Sequence, residues 1–405
     1  MKDKIIVLLS AILFCMTLGL KDAMAAAATD VACKNPCINS FEIQDGQVTS
    51  TDIADGAVTN TRISEGAVTG TKIGDGAVSN TKIQDGAVTD AKITGPISSS
   101  KIQKPAKIAI VAQSGGDYAD PVIAMNNLSA WCGTPAAANP CLLKIMPGVY
   151  NVGENSVQMQ SYVDIEGSGE NATKIVGNPS SYNTGIVNGA SNAEIRLLTV
   201  EHTGGGFYAI AVYNENASPK MSNVTATASG GTSNYGVSNY SSSPVMTNVT
   251  ATASGGMNSI SIQNLNSSSP IMINITATAS GGTSNYGIAN DSSSSPTMNK
   301  VTSTASGGTN SYGISNCSSS STMTNVTATA LGGINNIGIF NHCGSTIKIE
   351  HSVISGSSYT IYNEVATIMI GNTRLDGGPI VNSGGTIICA GVYDENFTFY
   401  SNTCP

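Results

Sequence analysis

Histidine, arginine and carboxylate side chains are scarce in this sequence, so few residues could perform acid–base chemistry. The 405 residues include three histidines, and charged residues make up 11% of the chain. His351, Arg374 and Asp376 lie near the C-terminus, and an acid, a histidine and an arginine close together could act on a glycan. Solvated surface charge is the commoner role of such residues. We therefore assign no catalytic residue and keep these three as candidates.

Threonines form a second pattern with chemical potential, because Thr-x-Thr recurs in five successive segments of the type VTATA. On stacked strands their hydroxyls would form an array spaced about 4.8 Å along the axis and about 7 Å along each strand. Such an array resembles the threonine faces of ice-binding β-solenoids, and it could also bind sugars. Threonine is equally an ordinary outward residue of a strand. The predicted face consists of Thr225, Thr227, Thr250, Thr252, Thr276, Thr278, Thr302, Thr304, Thr327 and Thr329. We expect its first row to continue to His351 and Asn372, and its second row to Val353 and Arg374.

Asparagine recurs at steps of 25 or 26 residues through the middle of the chain, and of 22 and 19 at the end. A repeat of this length with strand-like alternation indicates a solenoid of stacked coils, here about ten. An aliphatic residue stands two positions before each asparagine and Tyr or Ile usually stands four before, so we expect all three on one inward face. The predicted buried amide ladder consists of Asn188, Asn214, Asn239, Asn264, Asn290, Asn316, Asn341, Asn363 and Asn382.

The N-terminal quarter differs in composition. Residues 1–25 resemble a cleaved signal peptide, with an apolar run after Lys2 and Lys4 and small residues at Ala23 and Ala25. A cysteine-containing segment covers residues 26–41. Residues 42–104 then repeat every ten, with Val or Ile every five, and resemble repeats of phage tail fibres and bacterial surface fibres. One apolar stripe cannot enclose a core within one chain, so we predict a homotrimeric stalk; a single-chain solenoid or a spacer is the alternative.

The cysteines also favour an exported protein. Eight remain after Cys15 is removed with the signal, and an even number is typical of disulfides in exported chains. Proximity predicts the pairs Cys33–Cys37, Cys132–Cys141 and Cys389–Cys404. Cys317 and Cys343 each follow a ladder asparagine on successive coils, which predicts a fourth pair. With three histidines and no CxxC pair, we expect no metal site and no cofactor.

Residues 107–177 carry a family resemblance through "SGGDY", an amphipathic helix at about residues 120–131, and "PGVY" at residues 147–150. They resemble the opening of the pectin lyase-like superfamily, most closely its pectin methylesterase branch. The resemblance implies an all-β, right-handed parallel β-helix of about 25-residue coils with an N-terminal capping helix, here residues 105–405. Family catalysis uses paired carboxylates with Arg and Gln, or acidic Ca²⁺ ligands with Arg or Lys. The matching coils here carry Thr, Ala, Ser and Asn, so no residue takes such a role.

Together these patterns predict an exported bacterial protein that is secreted or lies at the cell surface. We expect a non-catalytic role in adhesion, in glycan binding or as a structural module. A polysaccharide-active enzyme of the pectin lyase-like group and an ice-binding protein are the alternatives. The net charge of −8 disfavours nucleic acid as a partner. No second apolar span follows the signal, so we expect no transmembrane segment in the mature chain.

The stalk leads to the first testable prediction. A chain of residues 26–405 is expected to be a trimer, and a chain of residues 105–405 a monomer, because the truncation removes the stripe that needs partner chains. Sedimentation equilibrium measures both masses. Equal oligomeric states for the two chains would contradict a trimeric stalk.

Overall fold

The computed structural model describes residues 48–74, 77–78, 83 and 107–405. The chain divides into two compact units, Met1–Pro96 and Ile97–Pro405. Much of the predicted stalk, the predicted signal and the predicted pair Cys33–Cys37 lie outside the described residues. Among the residues that are described, no helix has the length and apolar character needed to span a membrane.

The first unit contains a succession of short turns in its described part. Two 3₁₀ turns, Asn60–Arg62 and Gly70–Lys72, lie ten residues apart. Arg62 Nη1 donates to the Ala57 carbonyl at 2.9 Å, and Lys72 Nζ donates to the Ala67 carbonyl at 2.7 Å. The Val and Ile side chains at every fifth residue from Val48 to Ile73 are 41–54% exposed. The decapeptide therefore repeats in conformation as well as in sequence, and its apolar stripe is not buried within the chain.

The second unit is a parallel β-helix, which confirms the fold class that the resemblance implied. Its strands form an 18-stranded sheet (the large sheet) and a ten-stranded sheet (the small sheet). All strand pairs are parallel except the last, β27 with β28. The large sheet contains β1 (Lys107–Val111), β2 (Cys141–Ile145), β3 (Gly148–Asn151), β5 (Val163–Glu166), β6 (Thr173–Gly177), β8 (Glu194–His202), β10 (Lys220–Ser229), β12 (Val245–Ser254), β14 (Ile271–Ser280), β16 (Thr297–Ser306), β18 (Thr322–Leu331), β20 (Thr346–Glu350), β21 (Val353–Gly356), β23 (Thr367–Gly371), β24 (Arg374–Gly377), β26 (Thr386–Ala390), β27 (Val392–Asp394) and β28 (Phe399–Tyr400). The small sheet contains β4 (Val157–Gln158), β7 (Val187–Asn188), β9 (Gly206–Glu215), β11 (Gly231–Tyr240), β13 (Asn258–Leu265), β15 (Ser284–Asp291), β17 (Asn310–Cys317), β19 (Asn335–His342), β22 (Tyr359–Glu364) and β25 (Ile380–Ser383).

Both ends of the β-helix are closed. Helices α1 (Pro121–Asn126) and α2 (Leu128–Trp131) occupy the predicted capping position, and the Asp120 carboxylate accepts the backbone N–H groups of Val122 and Ile123. Such an acceptor satisfies donors that have no partner inside the helix. A hairpin of β27 and β28 ends the chain. Three predicted disulfides are confirmed: Cys132–Cys141, Cys317–Cys343 and Cys389–Cys404.

Each ten-residue strand of the large sheet, from β10 to β18, bends at one residue with a positive φ. These residues, with φ between 52° and 55°, are Asn223, Asn248, Asn274, Lys300 and Asn325. Asparagine tolerates this left-handed conformation better than most residues. The bend divides each strand into two arms, and the Thr-x-Thr segment forms the second arm. Inside the coil, a column of methionines stacks in register and is at most 1% exposed: Met221, Met246, Met272, Met298 and Met323.

Buried asparagine amides are hydrogen-bonded from coil to coil. In each of two runs, every Nδ2 donates to the next Oδ1 at 2.8–2.9 Å. The runs are Asn214, Asn239, Asn264, Asn290 and Asn316, and then Asn341, Asn363 and Asn382. Asn382 continues the hydrogen bonding but is exposed, so the prediction that it is buried is wrong. Between the runs, Asn316 Nδ2 and Asn341 Oδ1 are buried without a hydrogen-bond partner. The prediction for Asn188 is wrong: it pairs in register with Tyr213, because the strand alignment at this coil is displaced by one residue.

The ladder predicts a specific loss of stability. Asn264 is fully buried and bonds both neighbours, so Asn264→Ala leaves one donor and one acceptor unpaired. We expect the free energy of unfolding to fall by about 2–4 kcal/mol in urea denaturation. Asn335→Ala is the matched control, since its exposed Nδ2 also donates to an asparagine on the preceding coil, Asn310, at 3.0 Å. If Asn335→Ala lowered the free energy of unfolding as much as Asn264→Ala, the loss could not be attributed to the burial of the unpaired amides.

Candidate functional site

The three candidate catalytic residues do not form one site. The Arg374 guanidinium is bonded to the Asp376 carboxylate at 2.6 Å on the same strand, β24. His351 is an exposed corner residue with a φ of 50°, equivalent to the bend residues of the long strands. The structure therefore joins Arg374 to Asp376 in an ion pair and leaves the imidazole at the surface.

The strand register beside His351 also corrects the predicted continuation of the threonine rows. Thr327 pairs with Val353, which pairs with Arg374, and Thr329 pairs with Ser355, which pairs with Asp376. His351 and Asn372 both have positive φ, so they lie at the bends between the two arms of the sheet and not on the threonine face. Our assignment was wrong by two residues in the last coils because it took corner residues for strand residues.

Most of the remaining charged clusters are ion pairs on the first coils, and Lys348 and Glu350 form one on β20. Arg196 contacts the carboxylates of Asp164, Glu166 and Glu194 at 2.7–3.1 Å. Burial opposes the ionisation of Glu166, but Lys144 and Arg196 together keep its pKa below the ordinary value. Charges that are neutralised in this way hold adjacent coils together, and the three carboxylates around Arg196 are engaged in ion pairs.

The threonine face is a regular array on the second arm of the large sheet. From β10 to β18 its Thr-x-Thr pairs are aligned threonine to threonine. Thr225 Oγ1 donates to Glu170 at 2.8 Å, at one end of the face. Within the described residues, no protein group is hydrogen-bonded to the hydroxyls from Thr250 to Thr329 on this face. These hydroxyls are free to bind water or another ligand.

A second surface, which the sequence analysis missed, covers the outer side of the small sheet. We call it the aromatic face; its rings are Tyr182, Phe207, Tyr208, Tyr213, Tyr235, Tyr240, Tyr286, Tyr312, Phe340, Tyr359 and Tyr362. We had placed the tyrosine four residues before each ladder asparagine inside the coil. Tyr235 instead lines surface pockets, because the alternation is interrupted at Gly236.

Gly236 explains the interruption through close packing. A Cβ on this residue would lie 2.6 Å from the Ser261 carbonyl oxygen and 3.1 Å from the Thr252 backbone nitrogen. Gly236 thus faces the opposite sheet, and Val237 beside it is fully buried. Glycine directly after tyrosine in each "NYG" or "SYG" segment is the sequence signal for this interruption.

Aromatic rings on this face stack along the rod axis. The ring centroids of Tyr286 and Tyr312 are 4.8 Å apart, and those of Tyr312 and Phe340 are 5.4 Å apart. Ile260 takes the equivalent place between Tyr235 and Tyr286. Replacing a ring by a smaller side chain interrupts the stack on that coil.

A cavity of about 320 Å³ lies on this part of the face. We call it the tyrosine pocket, and its rings are Tyr182, Tyr208, Tyr213, Tyr235 and Tyr240. Glu215, Gln263 and Ser238 supply its polar groups. Burial, followed by the nearby Glu215 carboxylate, raises the pKa of Tyr213 to about 12, so its phenol remains protonated. Rings with a few hydrogen-bonding groups are typical of sites that bind small polar ligands.

A second cavity, of about 310 Å³, adjoins the first through Tyr235. Asp291 lines it together with Tyr286, Phe340 and His342. Burial raises the pKa of Asp291 to about 6 and lowers that of His342. Cys317, His342 and Cys343 place ligand-type atoms within 4.8 Å of one another, but the two sulfur atoms are joined in a disulfide.

The described coils are similar in fold to solved β-helix structures at low identity. The A-module of the Azotobacter vinelandii mannuronan C-5 epimerase AlgE6 has 13% identity and a TM-score of 0.34, over 68% of this chain and 95% of that one. The catalytic domain of a GH87 α-1,3-glucanase has 12% identity and a TM-score of 0.41, over 72% and 65%. A carrot pectin methylesterase has 14% identity and a TM-score of 0.38, over 71% and 89%. Neither a protein-family model nor a curated protein matches the sequence. The similarity concerns architecture, and the activities in these names are those of the other proteins.

Asp291 predicts a pH-dependent stability. Its folded pKa of about 6 exceeds the ordinary value of 3.8, so the free energy of unfolding falls between about pH 4 and pH 6, stays at the lower level above that range, and is unaffected where both states are protonated. Asp291→Asn should therefore raise the free energy of unfolding by roughly 1–3 kcal/mol at about pH 7.5 and change it little at about pH 3.5. Urea denaturation at both pH values measures this. Ser315→Ala is a neighbouring substitution that changes no charge, so it should change the free energy of unfolding equally at both pH values. If Asp291→Asn also had the same effect at both pH values, the raised pKa of Asp291 would be contradicted.

Proposed function

We propose that this protein is an exported, non-catalytic module that binds glycans at a cell surface or after secretion, and that it binds them through the aromatic face. The tyrosine pocket is the observation that supports this most directly. Sugar rings present apolar C–H faces and polar edges, so a site for them needs aromatic surfaces beside hydrogen-bonding groups. Five tyrosines with Glu215 and Gln263 provide both on a surface that remains open along the rod.

The arrangement of carboxylates favours binding over hydrolysis. Glycoside hydrolysis generally requires two carboxyl groups within about 10 Å of each other. Glu215 and Asp291 each follow a ladder asparagine, and these asparagines are three coils apart, which separates the acids by about 14 Å along the axis. A polysaccharide-active enzyme remains the alternative, for which Asp291 with its raised pKa would be the first acid to test.

Export and attachment complete the proposal. A signal peptide at residues 1–25 would deliver the chain to an oxidising compartment, where the three disulfides of the β-helix are stable. A homotrimeric stalk at residues 42–104 would present three β-helices together, which increases the avidity for a repeating glycan. The exposed Val and Ile stripe of the first unit supports this assembly.

A second candidate function is the ordering of water or ice by the threonine face. It is favoured by the aligned Thr-x-Thr array, whose hydroxyls from Thr250 to Thr329 have no protein partner among the described residues. The two faces belong to different sheets, so substitutions can separate the two functions.

A glycan array followed by calorimetry on its strongest ligand tests the proposal. Tyr240→Ala removes a ring of the tyrosine pocket that is 36% exposed and should weaken binding about tenfold. Tyr393→Ala, which removes a similarly exposed ring from the C-terminal hairpin, should bind as the unmodified protein does. An array without any ligand would contradict glycan binding.

The threonine face is tested in the same set of proteins. Thr252→Tyr and Thr278→Tyr should leave glycan affinity unchanged, because their side chains lie on the large sheet. Loss of glycan binding in these variants with full binding by Tyr240→Ala would move the site to the threonine face. Thermal hysteresis that is present in the unmodified protein and lost in Thr252→Tyr would establish the second function.

A further inference from the structure

Basic residues are distributed very unequally between the two sheets. In residues 107–405 every Lys and Arg lies on a strand of the large sheet: Lys107, Lys144, Lys174, Arg196, Lys220, Lys300, Lys348 and Arg374. The small sheet carries no Lys or Arg, but it carries Glu215, Asp291 and Glu364. Its one histidine, His342, has a pKa that burial lowers, which favours the neutral ring. The aromatic face therefore presents negative charge without any fixed positive charge.

The two carboxylates beside the aromatic pockets have no cationic partner. Each ion pair of the described residues involves other acids, and neither Glu215 nor Asp291 belongs to one. Glu215 lies in the tyrosine pocket, and Asp291 lies in the adjoining cavity with Tyr286 and Phe340. Each pocket thus combines one uncompensated carboxylate with several ring surfaces.

This combination is the chemistry that holds an ammonium group. The negative face of an aromatic ring attracts a cation within about 6 Å of its centroid, and a nearby carboxylate adds direct Coulomb attraction. A neutral sugar can donate a hydroxyl hydrogen bond to Glu215, but it carries no charge for the carboxylate to attract. A glycan with a positive charge would gain from both the rings and the acid.

We propose that the glycan bound by the aromatic face carries ammonium groups, one of which is held in the tyrosine pocket against Glu215 and another beside Asp291. This proposal rests on the glycan-binding function proposed above and specifies the charge of its ligand. The ammonium can belong to an amino sugar with a free amine or to a quaternary substituent of the choline type. The axial separation of about 14 Å between the acids suits a linear polymer that lies along the rod.

Calorimetry with matched ligands tests the charge. The probes are a glucosamine hexamer with free amines, its fully N-acetylated counterpart, and choline beside its neutral isostere 3,3-dimethylbutan-1-ol. We expect at least about tenfold tighter binding of the charged member of one pair or both, weakened by added salt. If the free-amine hexamer binds more tightly than its N-acetylated counterpart, the ligand is an amino sugar. If only choline binds more tightly than its neutral isostere, the ligand carries a quaternary ammonium group.

Glu215→Gln keeps the shape of the side chain and removes its charge, so it should weaken binding of the preferred cation about fivefold to tenfold. Glu395→Gln, which removes an exposed charge from the turn between β27 and β28 and not from the small sheet, should bind normally. Equal affinity for charged and neutral probes, or an unaffected Glu215→Gln, would overturn the ammonium assignment while array binding that depends on Tyr240 still supported the glycan function. Failure of both the array and all four probes would overturn the proposed function itself.

Discussion

The structure depends on one constraint: successive coils stack in register at the strand spacing of about 4.8 Å. A buried asparagine amide is costly when unpaired, and this spacing lets each one donate to the equivalent amide on the next coil. Asn239, Asn264 and Asn290 are fully buried and bonded in this way. The interior therefore accepts polar side chains, which is why a sequence rich in Ser, Thr, Gly and Asn can fold with few large apolar residues.

The same stacking places like residues over like residues on every surface of the rod. It produces the methionine column inside, the threonine rows on the large sheet and the ring stacks on the small sheet. The centroid separation of Tyr286 and Tyr312, 4.8 Å, equals the strand spacing. Where the amide ladder is interrupted between Asn316 and Asn341, the disulfide Cys317–Cys343 links the same two coils. These two coils are therefore joined by a covalent bond at the step where the amide hydrogen bond is absent.

Because stacking multiplies each outward position, the two faces differ strongly in chemistry. The large sheet carries threonine hydroxyls and all basic side chains of the β-helix. The small sheet carries most aromatic rings, and its unpaired acids lie beside the pockets that these rings form. Segregation of this kind gives the rod separate surfaces, so that one face can bind a ligand without disturbing the other.

The repeat length and the strand alternation predicted a solenoid from sequence alone, and the cysteine positions predicted its three disulfides, because these are local or periodic signals. The resemblance of residues 107–177 to a known family supplied the parallel β-helix class and the capping helix. The aromatic face was decided only by the tertiary structure. Tyr235, Tyr286 and Tyr312 have the same spacing as inward residues, and they turn outward because the glycine after each of them packs against the opposite sheet. The displaced register at Asn188 and the corner positions of His351 and Asn372 likewise depend on how one coil meets the next. The spacing of residues along the sequence cannot show such contacts, because they join strands that are more than twenty residues apart in the chain.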